Sequence, residues 1–206
     1  MRVAILGGTG RVGREIVAEA LRRGHDAVSI TRGGGVVDGA SSLALDVRDA
    51  GALRAALVEQ RAEAVISALS PSKDHAFGDL LDGVIGAAAA AGISRVVVVG
   101  GAGSSLRADG SRVLDTIPDE WRWIPLAHAE ALERMRAQSA EVDWVNISPA
   151  ERLAAGPRTG AYRRGTDDVI VAPDGESHIS FADLAIAVLD EVEAPSVHRA
   201  RMTVGD

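Results

Sequence analysis

The sequence predicts an α/β fold in which a doubly wound parallel sheet carries helices on both faces. Three observations predict it. Strand-like and helix-like segments alternate along the 206 residues, which sets successive strands parallel with helices crossing over each face. Arg95-Val-Val-Val-Val-Gly100 is a continuous β-branched run, the composition of a strand buried on both sides. An apolar strand from Val3 to Leu6 runs into Gly7, Gly8, Gly10 and Gly13 and then into an amphipathic stretch over 14–23, the strand–turn–helix that opens such sheets. The length suits one domain spanning 1–206, with little left for a separate substrate domain.

The remaining elements follow in order. Gly24-His25 turns the chain into a second strand over 26–32, and residues 42–47 read as a third. Residues 49–60 read as a helix capped by Asp49, whose carboxylate can take a free N–H of the first turn. A fourth strand over 63–69 leads to an alanine-rich helix over 74–91, ended by Gly92. After the fifth strand, residues 101–126 break into Gly, Ser, Asp, Pro and Trp, a long irregular connection of the kind that forms lids and binding loops. A helix over 127–139 and a strand over 143–148 restore the alternation. A second irregular stretch, 151–166, precedes the short apolar run Val169-Ile-Val-Ala172; Ser180 then caps a last helix through Glu193, and 201–204 closes as a strand. Residues 101–127 and 151–167 are therefore expected as substrate-side loops, with short C-terminal elements beside them.

Composition narrows the function. Hydrophobic residues at 47% can bury a sizeable core, and a net charge of −7 gives no electrostatic case for a nucleic-acid or anionic-membrane partner. Without cysteine there is no disulfide, thiolate metal site or cysteine nucleophile, and the histidine and carboxylate spacings suggest no metal site. The longest apolar tract, 84–93, is too short to span a bilayer. The first strand begins almost at once, without a charged leader, long apolar region or cleavage site. A cytoplasmic protein acting on a small molecule, as monomer or homodimer, is expected.

The glycine turn carries the most chemistry. Gly8, Gly10 and Gly13 fit G-x-G-x-x-G, and Gly7 extends the set to G-x-x-G-x-x-G. The glycines allow a tight turn, a close backbone approach to a pyrophosphate and close helix-to-strand packing, while the helix N-terminus offers free N–H groups. A Rossmann-type dinucleotide site is expected. Its specificity lies at the end of the second strand, where an NAD-preferring site carries Asp or Glu against the ribose hydroxyls. Here the chain has Thr31-Arg32. A guanidinium binds a 2′-phosphate through paired hydrogen bonds, so NADP(H) is the expected cofactor, with Gly33-Gly34-Gly35 as a flexible loop beside the adenosine.

Residues at several strand ends carry a family resemblance. Gly7-Gly-Thr-Gly-Arg-Val-Gly13, Leu45-Asp-Val47, Val65-Ile-Ser-Ala-Leu69, Val96-Val-Val-Val-Gly-Gly-Ala-Gly-Ser104, Ile147-Ser-Pro-Ala150 and His178-Ile-Ser-Phe-Ala-Asp-Leu184 resemble the atypical short-chain dehydrogenase/reductases of the NmrA-like and biliverdin-reductase-B-like NAD(P)H-binding group. The resemblance implies that Gly7, Thr9, Gly10, Arg11, Val12 and Gly13 form the pyrophosphate and ribose turn and that Arg32 holds the 2′-phosphate. It places Asp46 and Val47 around adenine, with Asp46 accepting from the exocyclic amine. Ala68 and Leu69 would pass along the nicotinamide ribose, Gly101 would join the cofactor site, and Pro149 and Ala150 would lie against the carboxamide.

One departure is decisive for the chemistry. Short-chain dehydrogenases usually carry Tyr-x-x-x-Lys, but Tyr162 is the single tyrosine here and Lys73 the single lysine, so that dyad does not exist. His128, near the head of the helix after the long loop, stands where the larger family keeps its acid; its ordinary pKa near 6.5 suits proton transfer at neutral pH. An exposed histidine in a first helical turn is the competing reading. Ser104 and Ser105 are candidates to hydrogen-bond a substrate carbonyl, although serine at a glycine-rich turn is also an ordinary turn former. Trp121, Trp123 and Tyr162 lie in the irregular stretches, where they could stack on a planar substrate or pack a lid. The expected activity is NADPH-dependent reduction of a planar conjugated molecule such as a flavin, quinone or tetrapyrrole-like acceptor. A non-catalytic NADP(H) sensor of NmrA type, or an isomerase using bound nucleotide, stands beside it.

Overall fold

The structure, a computed structural model, describes residues 1–138 and 142–206. Its main sheet contains β1 (Arg2–Leu6), β2 (Asp26–Thr31), β3 (Ser41–Ala44), β4 (Ala64–Ser67), β5 (Arg95–Val99), β6 (Asp143–Pro149), β8 (Arg163–Gly165) and β10 (Ala200–Gly205), in the order β3-β2-β1-β4-β5-β6-β10-β8. Neighbours run parallel except β8, which is antiparallel to β10. A separate parallel ribbon pairs β7 (Arg152–Ala154) with β9 (His178–Ser180). The helices are α1 (Arg11–Arg22), α2 (Ala50–Glu59), α3 (Phe77–Ala90), α4 (Asp119–Ala137) and α5 (Phe181–Glu193).

Strand alternation builds two cores. Val3 and Ile5 of β1, with Val97 and Val99 of β5, pack against Ile16 and Val17 of α1 and Leu184 and Val188 of α5. Ala4, Leu6, Val96 and Val98 point the other way, toward Leu53, Leu81, Val84 and Leu132 of α2, α3 and α4. Burying each Val, Leu or Ile is worth roughly 1.5–3 kcal/mol, and a one-residue slip would exchange the two faces of a strand. The caps hold as the sequence indicates: Asp49 accepts from the Ala52 N–H and Ser180 from that of Asp183, both at 2.9 Å. Gly92 ends α3 at φ +79°.

Winding reverses between β1 and β4, which both border the same crevice at their carboxyl ends. Ligands in open α/β sheets bind at such a switch point. Because β4 stops at Ser67, Ala68 and Leu69 lie just beyond it, and Asp46 and Val47 likewise follow the end of β3.

Three segments differ from the sequence reading. Residues 119–126 belong to α4 rather than to an irregular connection. Pro118 sits at its cap, and Asp119 and Glu120 complement the helix dipole in the first turn. Pro125, which reads as a breaker, lies inside the helix; a Cβ on Gly103 would come within 2.5 Å of its ring. The expected helix end at Ser139 falls outside the described residues. Within 151–166, two three-residue strands form, because β7 and β8 are selected by pairing with β9 and β10 rather than by local pattern. Residues 169–172 form no strand. The Val169 N–H bonds the Leu106 carbonyl at 2.8 Å, and Ala172 turns back to Glu176 at 2.7 Å.

Candidate functional site

The turn after β1 is built by exclusion of side chains. Gly7 adopts φ +81° and donates to the Ile30 carbonyl at 2.9 Å, while a Cβ on it would lie 2.9 Å from the Ala68 carbonyl oxygen. A Cβ on Gly13 would run into the Gly7 carbonyl, so this glycine lets α1 lie directly on the turn. Gly10 is different: a Cβ there meets one atom, the Gly7 oxygen at 3.2 Å, and Gly10 itself is exposed. Gly10 caps α1 without a side-chain bond, and the first turn holds no acidic residue. The leading N–H groups are thus available to an anion, favoured by the helix dipole.

Two cavities meet at this turn. The larger, about 640 Å³, is bordered by Gly7, Thr9 and Gly10, by Arg32, and by Asp46 and Val47. The smaller, about 220 Å³, is bordered by Arg11, Val12, Val99, His128, Leu153 and Phe181. Gly10, Ala68, Leu69 and Ser70 line both, so they form one cleft running across the switch point. A glycine cradle that side chains would fill, free helix N–H groups and a basic far end fit a dinucleotide.

The cleft's charges are unevenly placed. Among the described residues Arg32 has no hydrogen-bonded partner, yet it is close enough to Asp46 to help lower its pKa. Asp46 is paired chiefly with Arg48, whose side-chain and then backbone hydrogen bonds hold the carboxyl at about 2. Arg14 is directed back onto the turn, its Nε donating to the Thr9 carbonyl at 2.9 Å. At the other end, the His128 ring meets the Phe77 ring edge-on, with centroids 4.9 Å apart, and rests over Gly101, where a Cβ would lie 3.1 Å from its Cγ. Burial pushes the His128 pKa down to about 4, so the imidazole is neutral at pH 7. The expectation of a histidine titrating near 6.5 is corrected by that desolvation.

The structure therefore gathers Gly7, Thr9, Gly10, Arg11, Val12, Arg32, Asp46, Val47, Ala68, Leu69 and His128 around one cleft. It places five others elsewhere. Gly13 packs the helix onto the turn, and Gly101 supports the His128 ring. Pro149 and Ala150, at and after the end of β6, are buried and border neither cavity. The Ser104 hydroxyl accepts from Arg201 Nη1 at 2.8 Å, and Arg201 is in turn paired with Asp167. Ser104 itself borders neither cavity of the cleft. Ser105 is buried as well.

Several lining residues escape the sequence reading. Arg48 directly follows Asp46-Val47, and that adjacency is a usable signal. His75 follows β4 in a polar loop. Leu153 carries no local mark, since it reaches the cleft through the β7–β9 ribbon, while Phe181, within the His178–Leu184 segment, opens α5 directly after β9. Arg11 stacks 5.9 Å above the Phe181 ring there. Lys73 sits 5.3 Å over the Trp123 ring, while the Tyr162 hydroxyl donates to Asp190 at 2.7 Å. The two residues of the missing dyad are thus occupied separately. Beyond the cleft, the two loop regions meet at Arg107 and Glu151, paired through bonds of 3.1 and 2.7 Å beside a separate cavity of about 670 Å³.

Sheet order, switch-point cleft and glycine turn define a Rossmann-type dinucleotide-binding protein. The chain belongs to the NAD(P)H-binding family, whose sequence pattern it matches over residues 7–195. It is 36% identical to the uncharacterized protein YwnB of Bacillus subtilis (strain 168), over 99% of this chain and 98% of that one. A Bacteroides thetaiotaomicron structure, provisionally named an epimerase, superposes with a TM-score of 0.89 at 34% identity, covering 99% and 96% of the two chains. A Streptococcus pneumoniae structure, provisionally named an NADH-flavin reductase, gives 0.83 at 29% identity, covering 100% and 99%. Among the described residues no helix is long and apolar enough to cross a membrane.

Proposed function

We propose that this protein is an NADPH-dependent reductase of a small planar conjugated acceptor, such as a flavin or quinone, working without a Tyr-x-x-x-Lys dyad. The observation that carries this reading is the continuous cleft with Arg32 at one end, the glycine turn in the middle and His128 at the other. The backbone of Thr9 to Val12 would hold the pyrophosphate and Arg32 the 2′-phosphate, a charge-assisted contact unavailable to NADH. Bound NADPH supplies the hydride. The chain's part is to orient the acceptor and exclude water with Val12, Val99, Leu153 and Phe181. His128, neutral near pH 7, offers the acceptor a hydrogen bond, and the proton comes from solvent. Residues 101–127 and 151–167 form the substrate side, and a cytoplasmic location goes with this reading.

The Streptococcus relative's name supports a flavin acceptor. The Bacteroides relative's name supports a second reading, isomerisation with the nucleotide returned unchanged. Net NADPH oxidation against a panel of flavins, quinones and carbonyl compounds separates them. Catalytic loss of the nicotinamide absorbance with a flavin or quinone is expected; binding of NADPH without consumption by any acceptor contradicts reduction.

A further inference from the structure

Arg48 turns three N–H groups onto the Asp46 carboxylate and engages both of its oxygens. Its backbone N–H donates to Asp46 Oδ1 at 3.1 Å, its Nε reaches Oδ1 and Oδ2 at 2.9 Å each, and its Nη2 closes on Oδ2. An ionised carboxylate offers about four lone-pair sites, and three of them face Arg48 donors, so an adenine amine must compete with the guanidinium for this carboxylate. Both residues nevertheless border the cavity that contains Arg32. Both are also substantially exposed, with side-chain accessibilities of 48% for Arg48 and 39% for Asp46, so neither is locked by packing. An exposed ion pair of this kind has little net worth in water, and a better partner can dissolve it.

We infer that Arg48 is a second 2′-phosphate ligand, and that NADPH binding exchanges its partner from the Asp46 carboxylate to the phosphate. The inference rests on the NADP(H) reading above. A phosphate offers the guanidinium the same two-point hydrogen bonding as a carboxylate and carries more charge. Once Arg48 leaves, the Asp46 carboxylate can accept from the adenine amine without that competition. The exchange makes adenine recognition conditional on the 2′-phosphate. NADH brings no phosphate, so Arg48 stays on Asp46 and the adenine amine finds the carboxylate occupied. Arg32 and Arg48 would then flank the phosphate as a clamp, with Arg32 the standing cation and Arg48 the recruited one.

The test uses adenosine 2′,5′-bisphosphate and adenosine 5′-monophosphate, titrated calorimetrically into the full chain. Removing Arg48 alone unmasks the Asp46 charge, so the informative comparison is made in the Asp46→Asn background. Asp46→Asn/Arg48→Gln is expected to bind the bisphosphate about tenfold or more weakly than Asp46→Asn, the scale of a charge-assisted contact. The monophosphate should bind both equally. Equal bisphosphate affinity in the two variants, or equal loss of both ligands, overturns the inference. If the native chain prefers the bisphosphate, and Arg32→Gln abolishes that preference while Arg48 has no effect, this inference alone fails. If the native chain shows no preference, the NADP(H) reading fails with it. Circular dichroism and thermal melting establish that each exposed-site variant is folded.

Discussion

Glu19, buried in α1, accepts two hydrogen bonds of 2.9 Å from the guanidinium of Arg158, 139 residues further along the chain. Arg23 adds a third at 2.8 Å. Led by Arg158 and opposed by burial, these bonds hold the Glu19 pKa down to about 2, below its ordinary 4.5. The unfolded chain therefore binds more protons between those values. The Glu19 contribution is present above about pH 4.5 and lost as pH falls through 2. Glu19→Gln should cost roughly 2–3 kcal/mol at pH 7, less than a fully enclosed pair because Arg158 keeps some solvent. It should also flatten the acid dependence of urea stability in that window; an unchanged slope contradicts the assignment.

The glycine turn separates binding from folding. Gly10→Val places a side chain on the open face of the turn, so the fold should survive while NADPH binding is lost. Gly13→Val drives its side chain into the Gly7 carbonyl, so melting temperature should fall as well. Normal NADPH affinity in folded Gly10→Val, measured by fluorescence titration, would show that the nucleotide does not rest on this turn.

Arg32 supplies the second contrast. Arg32→Ala should weaken NADPH binding by about 1.5–3 kcal/mol and change NADH binding little. Parallel titrations giving the same loss for both nucleotides would assign Arg32 to the adenosine rather than to the phosphate.

The pH profile tests His128. With its pKa near 4, kcat should show no His128 limb near 6.5, and His128→Ala should lower kcat about tenfold or more with NADPH affinity unchanged. The same shift has a stability consequence. The unfolded chain takes up the proton between pH 6.5 and 4, so His128 favours unfolding as pH falls through that range. His128→Leu should remove this part of the acid loss. A kcat limb near 6.5 that disappears in His128→Ala would contradict a desolvated, neutral imidazole.

Much of this architecture is legible because local and global demands agree. Val3 to Leu6, the four glycines and the β-branched run of β5 each specify their own environment, and Asp49, Gly92 and Ser180 mark their helix ends. The far end of the cleft is less legible. α4 was masked by Pro118 and Pro125, which read as loop residues although one starts the helix and the other sits within it. Leu153 reaches the cleft through a three-residue ribbon that no local pattern announces. Ser104 reads as catalytic by position, but it borders neither cavity of the cleft, and its hydroxyl accepts from a buried Arg201 of the last strand. Such long-range pairings are invisible in a single strand-end motif.

The central claim is that the cleft delivers hydride from NADPH to a planar acceptor beside His128. Anaerobic single-turnover mixing of the protein–NADPH complex with flavin mononucleotide tests it most directly. The account predicts that nicotinamide absorbance and oxidised-flavin absorbance fall together in equal molar amounts, with deuterium at C4 of the nucleotide slowing both. NADPH that remains bound and unoxidised, with flavin and then with quinone and carbonyl acceptors, contradicts it.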